Sequence, residues 1–346
     1  MSIITGINDF FGLDIGSTEL RVVQLKNTGG TKSLVRYGYV GVEGNISQSD
    51  SKADQQKLAE VVKHLVSSSG ISTGNVAVGL PSNKVFTTLV DIDRLSDHEI
   101  AQSIQYQAES LIPTPLADSK LDWAVVGDSP SDTNKVEVLL SSVANNYLED
   151  RLDMLESIGL NVIAFEPDSL ALTRSLIPQE SNGMHMLLDI GSKSTDLVVS
   201  MNGAPRLTRS ISTGTEAIIR SAVQNLNIDE NQATQFVTKF GLSKDKLEGQ
   251  IYSAIIGTVD ILVTEIEKSI NFVKTRYPSV TLERVIVAGG ASSLPEFPLY
   301  VANKLGVSVE IGNAWRNVTF PASKQNELLT IANHFTVAVG LAERQE

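Results

Sequence analysis

Leu13-Asp14-Ile15-Gly16-Ser17 and Leu188-Asp189-Ile190-Gly191-Ser192 are one pentapeptide written twice, and the reading of the chain turns on that repetition. Apolar runs with strand character follow each copy, Leu20–Leu25 after the first and Leu197–Ser200 after the second. The pattern predicts two β-hairpins, each tipped by Asp-x-Gly-Ser. Glycine at such a tip tolerates positive φ and lets the backbone approach a ligand closely. Successive N–H groups there form an anion nest suited to phosphate. Asp14 and Asp189 would each hold Mg2+ through water, because this ion keeps most of its hydration shell and takes few protein carboxylates. Capping its own turn is an equally available role for either aspartate. One such turn is ordinary hairpin chemistry. Two identical copies imply a duplicated domain, whose hairpins, facing each other, would grip a nucleoside triphosphate from both sides.

The totals agree with a protein of this kind. A chain of 346 residues is long enough for two to three domains with real cores. Hydrophobic residues make up 42% and charged residues 20%, an ordinary soluble balance. A net charge of −12 argues against duplex nucleic acid, whose phosphates need a basic face, and against broad adhesion to an anionic membrane. It leaves a membrane-protein partner open. With no cysteine there is no disulfide, thiolate metal site or cysteine nucleophile. The four histidines, His64, His98, His185 and His334, lack metal-ligand spacing, and neither a Walker loop nor a Gly-x-Ser-x-Gly elbow is present. Met1–Phe11 has neither a basic nor a long apolar region, and no uninterrupted apolar run approaches about 18–20 residues, so a cytoplasmic protein is expected.

In chain order, Ser33–Val42 reads as a third strand and Gly44–Asp54 as a polar loop. Gln55–Ser67 places Leu58, Val61, Val62, Leu65 and Val66 on one helical face. Asn75–Leu80 and Val85–Ile92 read as strands. Ser96-x-x-Glu99 is a capping box opening a helix that Pro113 and Pro115 end near Leu111. Two strands, Leu121–Val126 and Val136–Val143, then precede the helix Tyr147–Ile158 and the strand Asn161–Phe165. A helix Ser169–Leu176 leads through the linker Pro178–Gly183 into the second hairpin. Helices are expected at Gly214–Asn225, Asp229–Phe240, Ile251–Tyr277 and Leu294–Leu305. The strands Arg284–Ala288 and Val307–Ile311 and a closing helix, Leu328–Ala342, complete the reading.

Two hairpins, a Gly-Gly turn after a buried strand and two linking helices resemble the actin-like ATPase superfamily over nearly the whole chain. Gly12–Thr18 and Leu188–Asp196 match its phosphate motifs. Val285–Ser293 matches its adenosine motif, and Ile163–Leu176 and Asn333–Ala342 its connecting segments. The helix ending in Ala108-Glu109-Ser110-Leu111-Ile112-Pro113, and the run Ile158–Pro167, are similar to the PilM family of type IV pilus assembly proteins, relatives of FtsA. FtsA proteins carry a C-terminal amphipathic membrane helix. Here the sequence ends at Glu346, a few residues past the last connecting helix, which favours the PilM resemblance.

The resemblance implies an α/β, actin-like ATPase fold of duplicated RNase H-like domains with a small α/β insert of the FtsA/PilM type. The expected divisions are 1–82 for the first half of domain 1, 83–165 for the insert and 166–182 for the connecting helix and linker. Domain 2 follows at 183–330, and 331–346 is the C-terminal connecting helix. Gly16, Ser17 and Thr18 would offer N–H groups and hydroxyls to the β- and γ-phosphates, as would Gly191, Ser192, Ser194 and Thr195. Lys193 would meet phosphate as a point charge or stand in solvent. Gly214, Gly289, Gly290 and Ala291 would let the backbone pass close to the nucleotide, and the stem of Lys268 would stack on the base. Glu166 matches the position that orients the attacking water, with Asp168 as the alternative.

The chain departs from its relatives at one place. Where they carry a ribose-binding Glu and a Lys on the helix before a glycine, Thr234 and Val237 stand here ahead of Gly241. ATP and Mg2+ are the implied cofactors, with slow turnover at best, and ATP would set the angle between the two halves. The implied partner is the N-terminal tail of a PilN-type single-span membrane protein, which would place the chain at the inner face of the membrane. Val76–Pro81 and the helix Ser96–Leu111 are the expected walls of the groove holding that tail. Homo-oligomers are compatible with this reading. Its alternatives are a filament-forming ATPase of the FtsA or MreB kind and a small-molecule kinase on the same fold.

Overall fold

β1 (Phe11–Ile15) and β2 (Glu19–Thr28) form the first hairpin, and β3 (Thr31–Gly41) continues the meander. The computed structural model describes residues 9–178 and 181–345. Residues 1–8, most of the segment read for a leader, lie outside the described residues, as do Gln179 and Glu180 of the expected linker and the terminal Glu346. The chain forms two compact units. Unit 1 comprises residues 1–171, 204–208 and 337–346, and unit 2 comprises 172–203 and 209–336.

In unit 1 the order β3-β2-β1 extends through β4 (Asn75–Leu80) to β8 (Asn161–Pro167), with β1 parallel to β4 and β4 to β8. α1 (Lys52–Ser68) starts at Ser51, whose hydroxyl accepts the Asp54 N–H, and sets Leu58, Ala59, Val62 and Leu65 on its buried face. These pack with Phe11, Leu13, Leu20, Val22, Val76 and Val78, and α3 (Asn145–Glu156) adds Met154 and Leu155. Val76, Ala77, Val78 and Leu80 are at most 3% exposed. The reading of this strand as a groove wall is therefore corrected: β4 lies in the middle of a sheet covered on both faces.

A second sheet of unit 1 has the order β5-β7-β6, from β5 (Val85–Asp93), β6 (Ser119–Asp128) and β7 (Lys135–Ala144). α2 (Asp97–Leu111) covers one face. Glu99 accepts the Ser96 N–H at 3.0 Å, completing the capping box, and Ile100, Ile104 and Ala108 pack on Val136, Val138 and Leu140. Burial of each large aliphatic here contributes about 1.5–3 kcal/mol.

The five-stranded sheet has the order β11-β10-β9-β12-β13, from β9 (Met184–Ile190), β10 (Thr195–Met201), β11 (Ala204–Ile211), β12 (Leu282–Gly289) and β13 (Val309–Ile311), all within unit 2 save residues 204–208 of β11. A meander plus a parallel neighbour, β3-β2-β1-β4 in one unit and β11-β10-β9-β12 in the other, is the same topology twice. β11 is missing from the sequence reading. Pro205 and two arginines break its alternation, which an edge strand tolerates. α5 (Thr215–Leu226), α6 (Glu230–Phe240), α7 (Gln250–Arg276) and α8 (Phe297–Leu305) complete the unit. The run Leu247–Arg276 is long and apolar enough by composition to cross a membrane. Its Ile251, Ile255, Val259, Leu262, Ile266, Ile270 and Val273 recur at helical spacing and are buried, the pattern of a core helix.

The single closing helix expected over Leu328–Ala342 is two helices, α9 (Gln325–Thr330) and α10 (Thr336–Ala342). Asn333 causes the break. It is 4% exposed, its carbonyl accepts the Gly289 N–H at 2.8 Å, and its side chain bonds elsewhere, so helical bonding stops there. α10 lies directly on the backbone of unit 1. A Cβ on Gly340 would stand 1.9 Å from the Ala171 carbonyl oxygen, and one on Gly12 2.5 Å from that of Ala338.

Candidate functional site

Both predicted hairpins form, with the same register. Asp14 stands opposite Arg21 and Asp189 opposite Asp196. Residues directly opposite on an antiparallel pair point to one face and interact, so the two copies differ in charge at their key position.

In the first hairpin the Gly16 N–H closes the turn onto the Glu19 carbonyl at 3.1 Å. The Thr18 carbonyl accepts the Val42 N–H at 2.8 Å, and the Ser17 carbonyl accepts the Ser47 hydroxyl at 3.4 Å. Ser47 is held in turn by the buried Arg151, which donates to its carbonyl and, at 3.3 Å, to Gln55 Oε1. Asp14 is 8% exposed and pairs with the Arg21 guanidinium at 3.1 Å, which also reaches Glu19 at 2.5 Å. Burial pushes the Asp14 carboxyl above its ordinary value, Arg21 pulls it down by charge and hydrogen bond, and Glu19 adds to the rise. Arg21 was not singled out from sequence. Its position two residues into the returning strand was the available signal, since that residue must face Asp14.

In the second hairpin the Gly191 N–H closes onto the Ser194 carbonyl at 2.9 Å. The loop sits on the start of α5: the Gly191 carbonyl accepts the Thr215 N–H at 3.0 Å and the Ser192 carbonyl that of Glu216 at 2.9 Å. A Cβ on Gly214 would lie 2.4 Å from the Ser192 oxygen, so this glycine is what lets loop and helix meet. The Thr195 hydroxyl, fully buried, donates to the Thr213 carbonyl at 2.7 Å. Lys193 and Ser194 lie on the partly exposed tip.

The tolerance of glycine for positive φ is not used at the tips. Neither Gly16 nor Gly191 adopts it. Tightness selects glycine instead, most clearly at Gly16, where a Cβ would stand 2.6 Å from the Glu19 oxygen. Each glycine N–H is spent within its turn and the expected phosphate role of the buried Thr195 hydroxyl is corrected by its bond to Thr213, so the remaining candidate phosphate donors are Ser17 and Thr18, and Ser192 to Ser194.

The Gly289-Gly290 turn joins the second hairpin. Gly289 has φ 77°, and a Cβ there would stand 2.4 Å from Asp189 Oδ1. Asn333 Nδ2 fixes this turn, donating to the Gly289 carbonyl at 3.1 Å, the Ser292 hydroxyl at 2.7 Å and the Ser293 hydroxyl at 2.9 Å. Ala291 is fully buried beside it. Unit 2 thus brings Asp189, the 191–195 tip, Gly214 and residues 289–291 together. Lys268, exposed on α7, lies 2.6 Å from Glu265, which Arg209 also grips at 3.0 Å. Thr234 is exposed on α6 with its hydroxyl on the Glu230 carbonyl, while Val237 is 2% exposed in the core.

Glu166, at the end of β8, is 2% exposed, and Arg344 NH1 lies 2.5 Å from its Oε2. Asp168 opens α4 (Asp168–Leu176), with Oδ1 packed where Gly79 leaves room. Among the described residues no three His, Cys, Asp or Glu side chains cluster as a metal site. A cation held through water at the Asp189–Asp196 pair needs no such cluster, and two facing carboxylates fit it.

The model of the family described as type IV pilus assembly protein PilM matches residues 12–346. Among solved structures, the PilM-PilN type IV pilus biogenesis complex is similar at a TM-score of 0.82, with 22% identity over 97% of this chain and 98% of that one. The ethanolamine utilization protein EutJ from Carboxydothermus hydrogenoformans follows at 0.59, with 15% identity over 97% and 90%. MreB5 of Spiroplasma citri bound to ADP gives 0.52, with 13% identity over 96% and 94%. These likenesses establish the actin-like ATPase fold.

Proposed function

The chain belongs to the type IV pilus assembly protein PilM family, and from that premise we propose that it is an ATP-binding scaffold of the pilus assembly platform that captures a PilN-type partner. The observation that carries this is the match along 97% of the chain to a PilM-PilN complex. The protein would act at the inner face of the membrane, held there by that partner.

The nucleotide is read as ATP with Mg2+, which supplies charge neutralisation at the phosphates. Ser17 and Thr18 in unit 1, and Ser192 to Ser194 in unit 2, each offer donors of the kind that would bind phosphate oxygens. Asp189, with Asp196 opposite, would orient the water shell of the cation, while Arg21 keeps Asp14 neutralised. Residues 289–291 would receive the adenosine. Glu166 would orient, and take a proton from, an attacking water. Thr234 and Val237 supply no ribose contact of the usual kind, so the affinity rests on the phosphate side.

The β5-β7-β6 sheet with α2, within residues 83–165, is read as the inserted subdomain. The groove wall that remains is the outer face of α2, where Tyr106 is 83% exposed and Leu111 40%. An apolar tail segment fits such a face. A labelled peptide of the partner's N-terminal tail, titrated into the protein and followed by anisotropy, is expected to bind saturably. Tyr106→Ala should weaken binding at least about fivefold, roughly 1 kcal/mol. No binding, together with ATP-dependent pelleting of the protein alone, would replace the scaffold reading with a filament.

A further inference from the structure

Arg344 is absent from the residues that the sequence singled out, yet it holds the carboxylate assigned to water. Its guanidinium lies 2.5 Å from Glu166 Oε2, with the arginine side chain 20% exposed and the glutamate 2%. The backbone presenting it is built into unit 1. The Lys32 ammonium, 6% exposed, donates to the Glu343 carbonyl at 2.6 Å. The Glu343 N–H donates to Val339 at 2.8 Å and the Arg344 N–H to Leu341 at 3.2 Å. α10, which leads into these residues, lies on the backbone of β1 and α4 at Gly12 and Ala171. Arg344 is therefore delivered to Glu166 by packed structure.

We propose that Arg344 is a positioning residue that restrains Glu166 from acting as a general base, so that bound nucleotide is kept rather than spent. The inference rests on the reading of Glu166 given under Proposed function. In hydrolysis the water oxygen bonds to the terminal phosphorus as the bond to the bridging oxygen breaks. ADP leaves with that electron pair, and the water's proton passes to the carboxylate. An oxygen engaged by a guanidinium is in a charge-assisted bond, about twice the strength of a neutral one. Taking up a proton turns the carboxylate neutral and leaves the guanidinium facing an acid in a largely buried place, which opposes the transfer. The contact also fixes the carboxylate's direction. Removing the arginine frees Glu166 both to turn and to accept the proton.

The test uses the full chain, with Arg344→Gln, Arg344→Lys, Glu166→Gln and the double variant Arg344→Gln/Glu166→Gln. Without nucleotide, amide exchange across residues 163–167 and 339–345 should accelerate in Arg344→Gln and Glu166→Gln alike, with no further gain in the double variant. With ATP and Mg2+, Arg344→Gln should hydrolyse bound ATP at least about tenfold faster than the wild type, a part of what a general base contributes. Arg344→Lys should stay near the wild type, and the double variant at or below it. ATP binding that is unchanged, with turnover no faster in Arg344→Gln, overturns the inference and leaves the nucleotide reading standing. Absence of ATP binding by the wild type overturns the nucleotide reading and the inference with it.

Discussion

Opposite Asp14 across its hairpin stands Arg21; opposite Asp189, at the same register, stands Asp196. The two turns share five residues and close by the same glycine N–H bond, at 3.1 Å and 2.9 Å. One aspartate is paired with an arginine within its hairpin, and the other stands in register with a second acidic residue. A divalent cation gains most where two negative charges already meet, so the proposed reading makes the second hairpin its anchor and leaves the first, with Arg21 in place, to meet phosphate. Duplication thus copied the backbone device, while single cross-strand residues divided the labour.

Removing Arg21 should break the comparison most severely. Arg21→Leu strands a carboxylate that is 8% exposed, and a pair broken at one partner costs about 3–5 kcal/mol when buried. Glu19 beside it makes the loss no smaller. The matching change in the second hairpin, Asp196→Leu, should cost less than Arg21→Leu, because it removes a charge that stands opposite a like one. Urea unfolding midpoints at neutral pH read both. Adding Asp14→Asn to Arg21→Leu should recover most of the loss, and failure to recover would show that Arg21 acts by packing alone.

The turn that completes the second hairpin's site comes next. Asn333→Ala removes the amide donor shared by the Gly289 carbonyl and the Ser292 and Ser293 hydroxyls, while the Ser292 hydroxyl still donates to that carbonyl at 2.7 Å. About 1 kcal/mol of stability should go, by the same measurement. Amide exchange should rise at 289–293 and stay unchanged in the first hairpin.

The smallest effect is a gain. Burial raises the folded-state pKa of Asp14 above the ordinary aspartate value of 3.8, with Arg21 offsetting part of the rise. The folded chain therefore binds this proton more tightly than the unfolded one. The stability so gained is complete below 3.8 and is lost as pH climbs through the raised value. Asp14→Asn removes that loss and should stabilise the protein at pH 7 by up to about 1 kcal/mol, with a flatter stability profile over acidic pH. A destabilised Asp14→Asn at neutral pH would contradict the assignment of cause.

The hairpins, the α2 capping box and the buried face of α1 were legible in the sequence, because local turn chemistry and periodicity dictate them. The fold followed from the repeat. What escaped depended on partners distant in the chain. Asn333 breaks the last helix to hold a turn more than forty residues earlier, and periodicity carries no trace of such a bond. Arg344 reaches Glu166 only because Gly340 and Gly12 let α10 settle onto backbone. β4 looked like an accessible strand until its neighbours covered both faces. The residue type at Gly16 allowed positive φ, but it is the tight approach to the Glu19 oxygen that asks for glycine there.

Calorimetric titration of ATP with Mg2+ into the wild type, Asp14→Asn and Asp189→Asn tests the division of labour most directly. The account predicts binding by the wild type and a loss of at least about tenfold, ~1.4 kcal/mol, in Asp189→Asn that disappears when Mg2+ is withheld. Asp14→Asn should stay within about threefold of the wild type. Equal losses in the two variants, or no binding by the wild type, would contradict it.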